Sequence, residues 1–181
     1  SAAPWVREAG VYAMPENGDD GRMDGRDKKD GVLTAELAVA YACAHYFVTI
    51  GHREWLFGVG QLASDIERQL GAASYSFITA WNPAPHAASV DENMEADLRL
   101  QARVKQSGHV HHSALGSTAQ GGAVEYGWVV LDMSADDSDA LAREFAQAGL
   151  LFWRHGEPVR LRMLWPPPPG IADDAHTDWA E

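Results

Sequence analysis

One short stretch gathers most of the side chains that could do chemistry. The run Phe77-Ile78-Thr79-Ala80-Trp81-Asn82-Pro83 reads as a strand that stops at Asn-Pro, and Ser89-Val90-Asp91-Glu92-Asn93 behind it reads as a helix start. The end of a strand feeding a helix N-terminus is where α/β proteins place ligands. Thr79, Trp81, Asn82, Glu92 and Asn93 stand at that junction, and Glu125 and Gln147 are the further polar candidates. Asn82 and Asn93 offer paired donors and acceptors, and Glu125 is a general acid or base if it is buried. A plainer account competes with this one. Asn82 then caps a turn, Glu92 closes a capping box with Ser89, and Gln147 satisfies backbone groups.

The other candidates are thinner. His109 and His111, in an His-x-His pattern beside His112, would share one face of a strand and could share a metal, with a third ligand drawn from His45, His52 or an acid. An exposed strand with titrating histidines explains them as well. Arg160 and Arg162 alternate with Val159, Leu161 and Met163 on a late strand. They suit a phosphate or carboxylate, or equally the acids of a neighbouring helix. Residues 20–31 make a poor calcium loop: Asp20, Asp24 and Gly25 fit, but Arg22 stands where a ligand is needed and Gly31 replaces the closing Glu. Cys43 has His45 only two residues away, the wrong spacing on a helix for a nucleophile and its base, so a packed small residue is expected. No Gly-x-Ser-x-Gly elbow and no complete dinucleotide fingerprint occurs.

The 181 residues suffice for one core, and 46% apolar with 22% charged residues is ordinary for a globular protein. A net charge of −12 argues against direct nucleic-acid binding and would suit a basic protein partner. No apolar run approaches ~18 residues, so no membrane span is expected. No secretory signal is visible, and the lone cysteine makes a reducing cytoplasm the expected compartment.

The elements that must position the candidates follow from periodicity. Residues 1–31 are rich in charge, Gly and Asn and are expected to be weakly structured, with Trp5, Val11, Tyr12 and Met14 as anchors. Residues 33–44 form a short helix with Leu37 and Tyr41 on one face, and residues 45–50 and 54–59 a hairpin about Gly51-His52-Arg53. Leu62, Ile66 and Leu70 mark a helix that Gly71 ends. Residues 75–81 are apolar on both alternating faces, as for a strand covered on both sides. The helix begun by the Ser89–Glu92 capping box should run to about Gln106 with Met94, Leu98 and Ala102 inward. Residues 109–113 and 124–133 read as strands. Ser134 starts a helix with Leu141 and Phe145 on one face, and residues 150–153 and 158–165 are the last strands. Pro166 to Pro169 must be extended, and residues 166–181 become a Pro-rich, acidic tail behind one globular domain at 32–165. The fold class is α+β: one mixed, mostly antiparallel sheet of about seven strands with three to four packed helices.

The run from Phe77 to Pro83, with Glu92-Asn93 and the Phe145-x-Gln147 pair before an apolar strand, resembles an uncharacterised bacterial family catalogued as domain of unknown function thirty-two ninety-three. The Thr-Ala-Trp-Asn-Pro core is its most specific part, and the resemblance covers roughly residues 33–164. It implies a single small cytosolic domain and supplies no activity. Two departures stand out. Val124-Glu125 occupies the place of a usual Trp-x-Glu, so only Glu125 matches, and Met94-Glu95-Ala96-Asp97 lacks the basic residue common after the Glu-Asn pair.

The expected function is a binding module for a small polar ligand or a protein partner at the Asn82 to Asn93 junction. The alternative is a small hydrolase or transferase with Glu125 as acid or base. Neither cofactor, ligand nor oligomeric state is legible at this level.

Overall fold

A computed structural model of the protein describes residues 24–83 and 87–180, with residues 24–29 described by their backbone alone. In chain order the elements are α1 (Asp24–Cys43), β1 (His45–Ile50), β2 (Arg53–Phe57), α2 (Ser64–Leu70), β3 (Ser74–Thr79) and α3 (Val90–Ser107). Then come β4 (His111–Ser117), β5 (Val124–Leu131), α4 (Ala135–Glu144), β6 (Gly149–Arg154), β7 (Arg160–Met163) and β8 (Thr177–Trp179). The described residues thus hold four helices and one mixed, mostly antiparallel sheet in the order β2-β1-β4-β5-β3-β6-β7-β8. Among the described residues only the β7–β8 pair is parallel.

The strand with two apolar faces, β3, lies inside the sheet between β5 and β6. Its Tyr75 and Phe77 point into one core with Val48, Val129, Leu151 and Trp153, covered by Leu33 and Leu37 of α1 and Ile66 of α2. Its Ile78 points into a second core with Val130 and Leu150, covered by Leu100 and Val104 of α3 and Leu141 of α4. The result is a sheet between two helical layers, as a strand buried on both sides demands. Tyr75 stacks on Trp153 at 5.0 Å between ring centroids, and Phe57 and Phe77 meet edge to face, which fixes the first core beyond area burial alone. Gly71, with φ +63°, ends α2 by the left-handed cap expected of it.

Several expectations change. The strand count is eight rather than about seven. The extra strand is Thr177–Trp179, inside the stretch read as a tail: Leu161 pairs with Thr177, and Arg160 grips the Asp178 carboxylate with two bonds of 2.7 Å. A three-residue strand leaves no periodicity to read. Of the segment 1–31 expected to be weakly structured, residues 1–23 lie outside the described residues, as do the anchors Trp5, Val11, Tyr12 and Met14. From Asp24 the chain is helical, so residues 24–31 join α1 and are not the weakly structured segment expected there. On α3 the inward face is Asn93, Ala96, Leu100 and Val104, while Met94, Leu98 and Ala102 are exposed. The capping box pointed to the right start, but it does not fix which face turns inward. Cys43 is exposed rather than packed. No described helix is long and apolar enough to cross a membrane.

Candidate functional site

The site begins where β3 runs out. The Thr79 hydroxyl donates to the Tyr126 carbonyl at 2.6 Å and accepts the Trp81 N–H at 3.0 Å, where the strand pairing ends. Asn82 then takes φ +47°, a left-handed conformation that Asn tolerates better than most residues, and Pro83 follows. Ser89 caps α3 with a complete capping box, and Asn93 lies on the buried side of the first turn.

Asn82 and Asn93 lock together. The Asn82 backbone N–H donates to Asn93 Oδ1 at 2.8 Å, and Asn93 Nδ2 donates back to Asn82 Oδ1 at 3.0 Å. Asn82 Oδ1 also accepts the Ala88 N–H at 3.1 Å. That leaves Asn82 Nδ2, which donates to Glu125 Oε1 at 2.7 Å. The three residues are 6%, 3% and 6% exposed, so this is a buried network in which each bond matters more than it would in water. Burial pushes the Glu125 carboxyl up to about 7, against the opposing pull of the Asn82 amide.

Glu125 lines a cavity of about 30 Å³, together with Tyr41, Tyr46, Phe77, Thr79 and Gln147. That is room for a water or a group of similar size. Glycine makes the space possible. Gly116 sits opposite Glu125 on β4, and a Cβ there would come within 3.0 Å of the Tyr46 ring. Gly149 likewise lets the Tyr41 ring lie against β6, where a Cβ would meet Tyr41 at 3.4 Å and Arg162 O at 3.0 Å. Tyr46 donates its hydroxyl to the Tyr41 carbonyl at 2.7 Å. Burial raises both phenols, with the nearby Glu125 charge adding to it, so both stay protonated near neutrality.

The other sequence candidates fall into place around this cluster or away from it. Trp81 is buried against Tyr126, with 5.3 Å between rings, and its indole N–H has no acceptor among the described residues. Gln147 Nε2 donates to the carbonyls of Trp81 and Phe145 at 3.2 and 3.3 Å, the backbone role the plainer account gave it, while its side chain still borders the cavity. Glu92 is exposed and closes the capping box on the Ser89 N–H at 2.8 Å, a bond that holds its carboxyl below the usual range. It belongs to the helix start and not to the cavity.

Arg160 and Arg162 lie on β7 and are not brought to the Asn82 cluster. Arg160 pairs with Asp178, and Arg162 grips Asp139 with bonds of 2.8 and 2.6 Å. Two-point pairing with carboxylates is what guanidinium geometry favours. The histidines do not converge either. His109 precedes β4 and bonds to the Leu131 carbonyl at 3.0 Å, His111 packs edge-on against Trp128, and His112, on the other face, is held below the usual imidazole range by burial and by His111. No group of three or more His, Cys, Asp or Glu able to hold a metal occurs among the described residues.

Tyr41, Tyr46 and Gly116 are the site members that sequence reasoning missed. Tyr41 registered as an inward helix residue and Tyr46 as one of a strand run. The signal that could have found them is the glycine in a strand interior, which marks a close approach by another group.

A family model described as a protein of unknown function, DUF3293, matches residues 78–150. The resemblance drawn on Asn82, Glu92-Asn93 and Gln147 is to that same family. The match takes in Thr79, Asn82, Asn93, Glu125 and Gln147 and leaves Tyr41 and Tyr46 outside it. No curated protein and no solved structure matches the chain.

Proposed function

We propose that the protein is a binding module that holds a small polar ligand, or one polar group of a larger molecule, against Glu125. One observation carries this: a buried carboxyl lines a water-sized cavity, and Asn82 is its one hydrogen-bond donor among the described residues. A buried acid normally finds several partners, so spare bonding capacity facing a cavity favours a ligand. Asn82 and Asn93 have their amides engaged with each other, Ala88 and Glu125. Their role is to fix the carboxyl. A carboxyl that titrates near 7 donates in one state and accepts in the other, which suits a hydroxyl or carboxamide group. The exposed lone cysteine fits a reducing compartment such as the cytoplasm.

Native mass spectrometry of freshly purified chain and of Glu125→Leu tests the reading, with circular dichroism to check that the variant is folded. A small mass held by the wild type, lost on denaturation and absent from the folded variant supports it. A wild type that is bare, or a mass retained equally by the variant, rejects it.

A second reading is a hydrolase or transferase in which Glu125 is the general acid or base. The specific support is its titration near 7, where both protonation states are available at working pH. It requires turnover of a simple ester or glycoside with a rate that breaks near pH 7 and disappears in Glu125→Gln.

A further inference from the structure

Three polar groups around the Glu125 cavity have an end with no hydrogen-bond partner among the described residues. Glu125 Oε1 takes the Asn82 amide, and Oε2 takes nothing. Gln147 Nε2 donates to the carbonyls of Trp81 and Phe145. Carbonyls only accept, which fixes that end of the amide as the nitrogen and leaves Oε1 over. The Tyr41 hydroxyl makes no bond either, although the Tyr41 carbonyl takes one from Tyr46. All three residues line the same cavity. They differ from the sealed polar atoms of the interior, which are the indole nitrogens of Trp55, Trp81 and Trp153 and Nδ1 of His176; no atom of Glu125, Gln147 or Tyr41 is among those. Buried polar groups are normally satisfied, so three spare ends on one cavity call for a common partner.

Their chemistry limits what that partner is. Gln147 Oε1 only accepts. The Tyr41 phenol, kept protonated by burial and by the Glu125 charge, has a proton to give. Glu125 accepts when ionised and donates when protonated. The partner must therefore both give and take hydrogen bonds, within a volume of about 30 Å³. A hydroxyl oxygen meets both demands. A carboxamide has suitable donors and acceptors but spreads them over three heavy atoms, where the cavity has room for a group the size of water. An ammonium group only donates and makes no use of the phenol proton. A carboxylate or phosphate would meet the Glu125 charge with no Lys, Arg or His among the described lining residues to offset it. Phe77, Leu150, Leu151 and Leu161 line the rest, so the carbon that carries the hydroxyl meets hydrocarbon, and a second hydroxyl beside it would be buried without a partner.

We infer that the group bound in this cavity is the hydroxyl of an aliphatic alcohol, held between Glu125, Gln147 and Tyr41. The inference rests on the reading that Glu125 holds a ligand, and it adds the class of that ligand and a third binding residue. Gln147 and Glu125 accept the hydroxyl proton in turn, and the Tyr41 phenol donates to the hydroxyl oxygen. Tyr41 stands on α1, outside the residues 78–150 that match the family, so this arm of the site comes from a part of the chain that the match does not reach.

Proton–nitrogen correlation NMR of the full chain at neutral pH, titrated with ethanol to about 0.5 M, tests this, since so small a ligand supports a Kd in the millimolar range at best. The amides of Gly116 and Gly149, which line the cavity, should shift saturably, while that of Gly51 in the exposed β1–β2 turn should not. Tyr41→Phe keeps the ring and should weaken ethanol binding by about tenfold. Glu125→Leu should abolish it, and ethylammonium chloride should bind the wild type more weakly than ethanol does. Circular dichroism melts check that both variants are folded. If Tyr41→Phe binds ethanol as the wild type does while Glu125→Leu does not, this inference falls and the reading of Glu125 as a binding group stands. Ethylammonium that binds as tightly as ethanol overturns the alcohol and leaves that reading in the same way. The absence of a saturable shift with ethanol also overturns the inference, and the native mass comparison then decides the reading of Glu125 by itself.

Discussion

Glu125→Gln should make the protein more stable, and increasingly so toward alkaline pH. In the unfolded chain this carboxyl titrates at 4.5, and burial moves it to about 7 in the folded protein. The folded state therefore keeps a proton that the unfolded state has already released, and stability falls as pH rises from the lower value to the upper one. At about 1.4 kcal/mol per unit, the two and a half units between them amount to about 3 kcal/mol once the pH is above 7. About 2.5 kcal/mol of that develops between pH 5 and pH 8. Glutamine keeps the shape and can still accept from Asn82 Nδ2, but it has no charge to bury. Urea unfolding of wild type and variant at pH 5, 6, 7 and 8 reads the effect directly, because all other titrating groups cancel in the difference. The variant should lead by a little under about 1 kcal/mol at pH 5, and the gap should widen steadily to about 3 kcal/mol at pH 8. Parallel curves would mean that Glu125 ionises like an exposed carboxylate, and both the buried network and the functional reading built on it would be wrong.

Two further outcomes follow from packing and pairing. Arg162→Met should cost about 3 kcal/mol in urea unfolding, because it strands the Asp139 carboxylate, whose side chain is 5% exposed; breaking the half-exposed Arg103–Glu144 pair should cost less than about 1 kcal/mol. Similar losses for the two would refute the distinction. Gly127→Ala places a Cβ 2.4 Å from the Ile78 carbonyl oxygen and should remove about 3 kcal/mol or more, whereas Gly122→Ala, whose Cβ meets only Thr118 Oγ1 at 3.5 Å, should be close to neutral in the same thermal melt.

What the sequence revealed and what it hid divide along physical lines. Local signals were readable: the doubly apolar run of β3, the Ser89–Glu92 box, and Gly71 after α2 each depend on a few neighbouring residues. The sheet class followed from the order of those elements. The link from Asn82 to Glu125 spans 43 residues, and no spacing rule connects them; each was singled out, but their shared bond is a product of the tertiary fold. The inward face of α3 was misjudged because its apolar residues occupy two faces, with Leu100 and Val104 in the core and Met94 and Leu98 outside. Helix period alone cannot choose between two apolar stripes. The short strand at Thr177–Trp179 is held by pairing and by the Arg160–Asp178 bridge, neither of which leaves a pattern in its own residues.

The position of β3 has a consequence for how the protein is made. Both strands that flank it, β5 and β6, come later in the chain, and some 45 residues separate Thr79 from the first residue of β5. At a synthesis rate of about 5 to 20 residues per second, that gap lasts roughly 2 to 9 seconds on the ribosome. Throughout it, a strand destined to be buried on both faces has two open hydrogen-bonding edges and no partner of its own. The nascent protein therefore depends during those seconds on chaperone cover, or on the early helices α1 and α2, to keep this strand from pairing with a neighbouring chain.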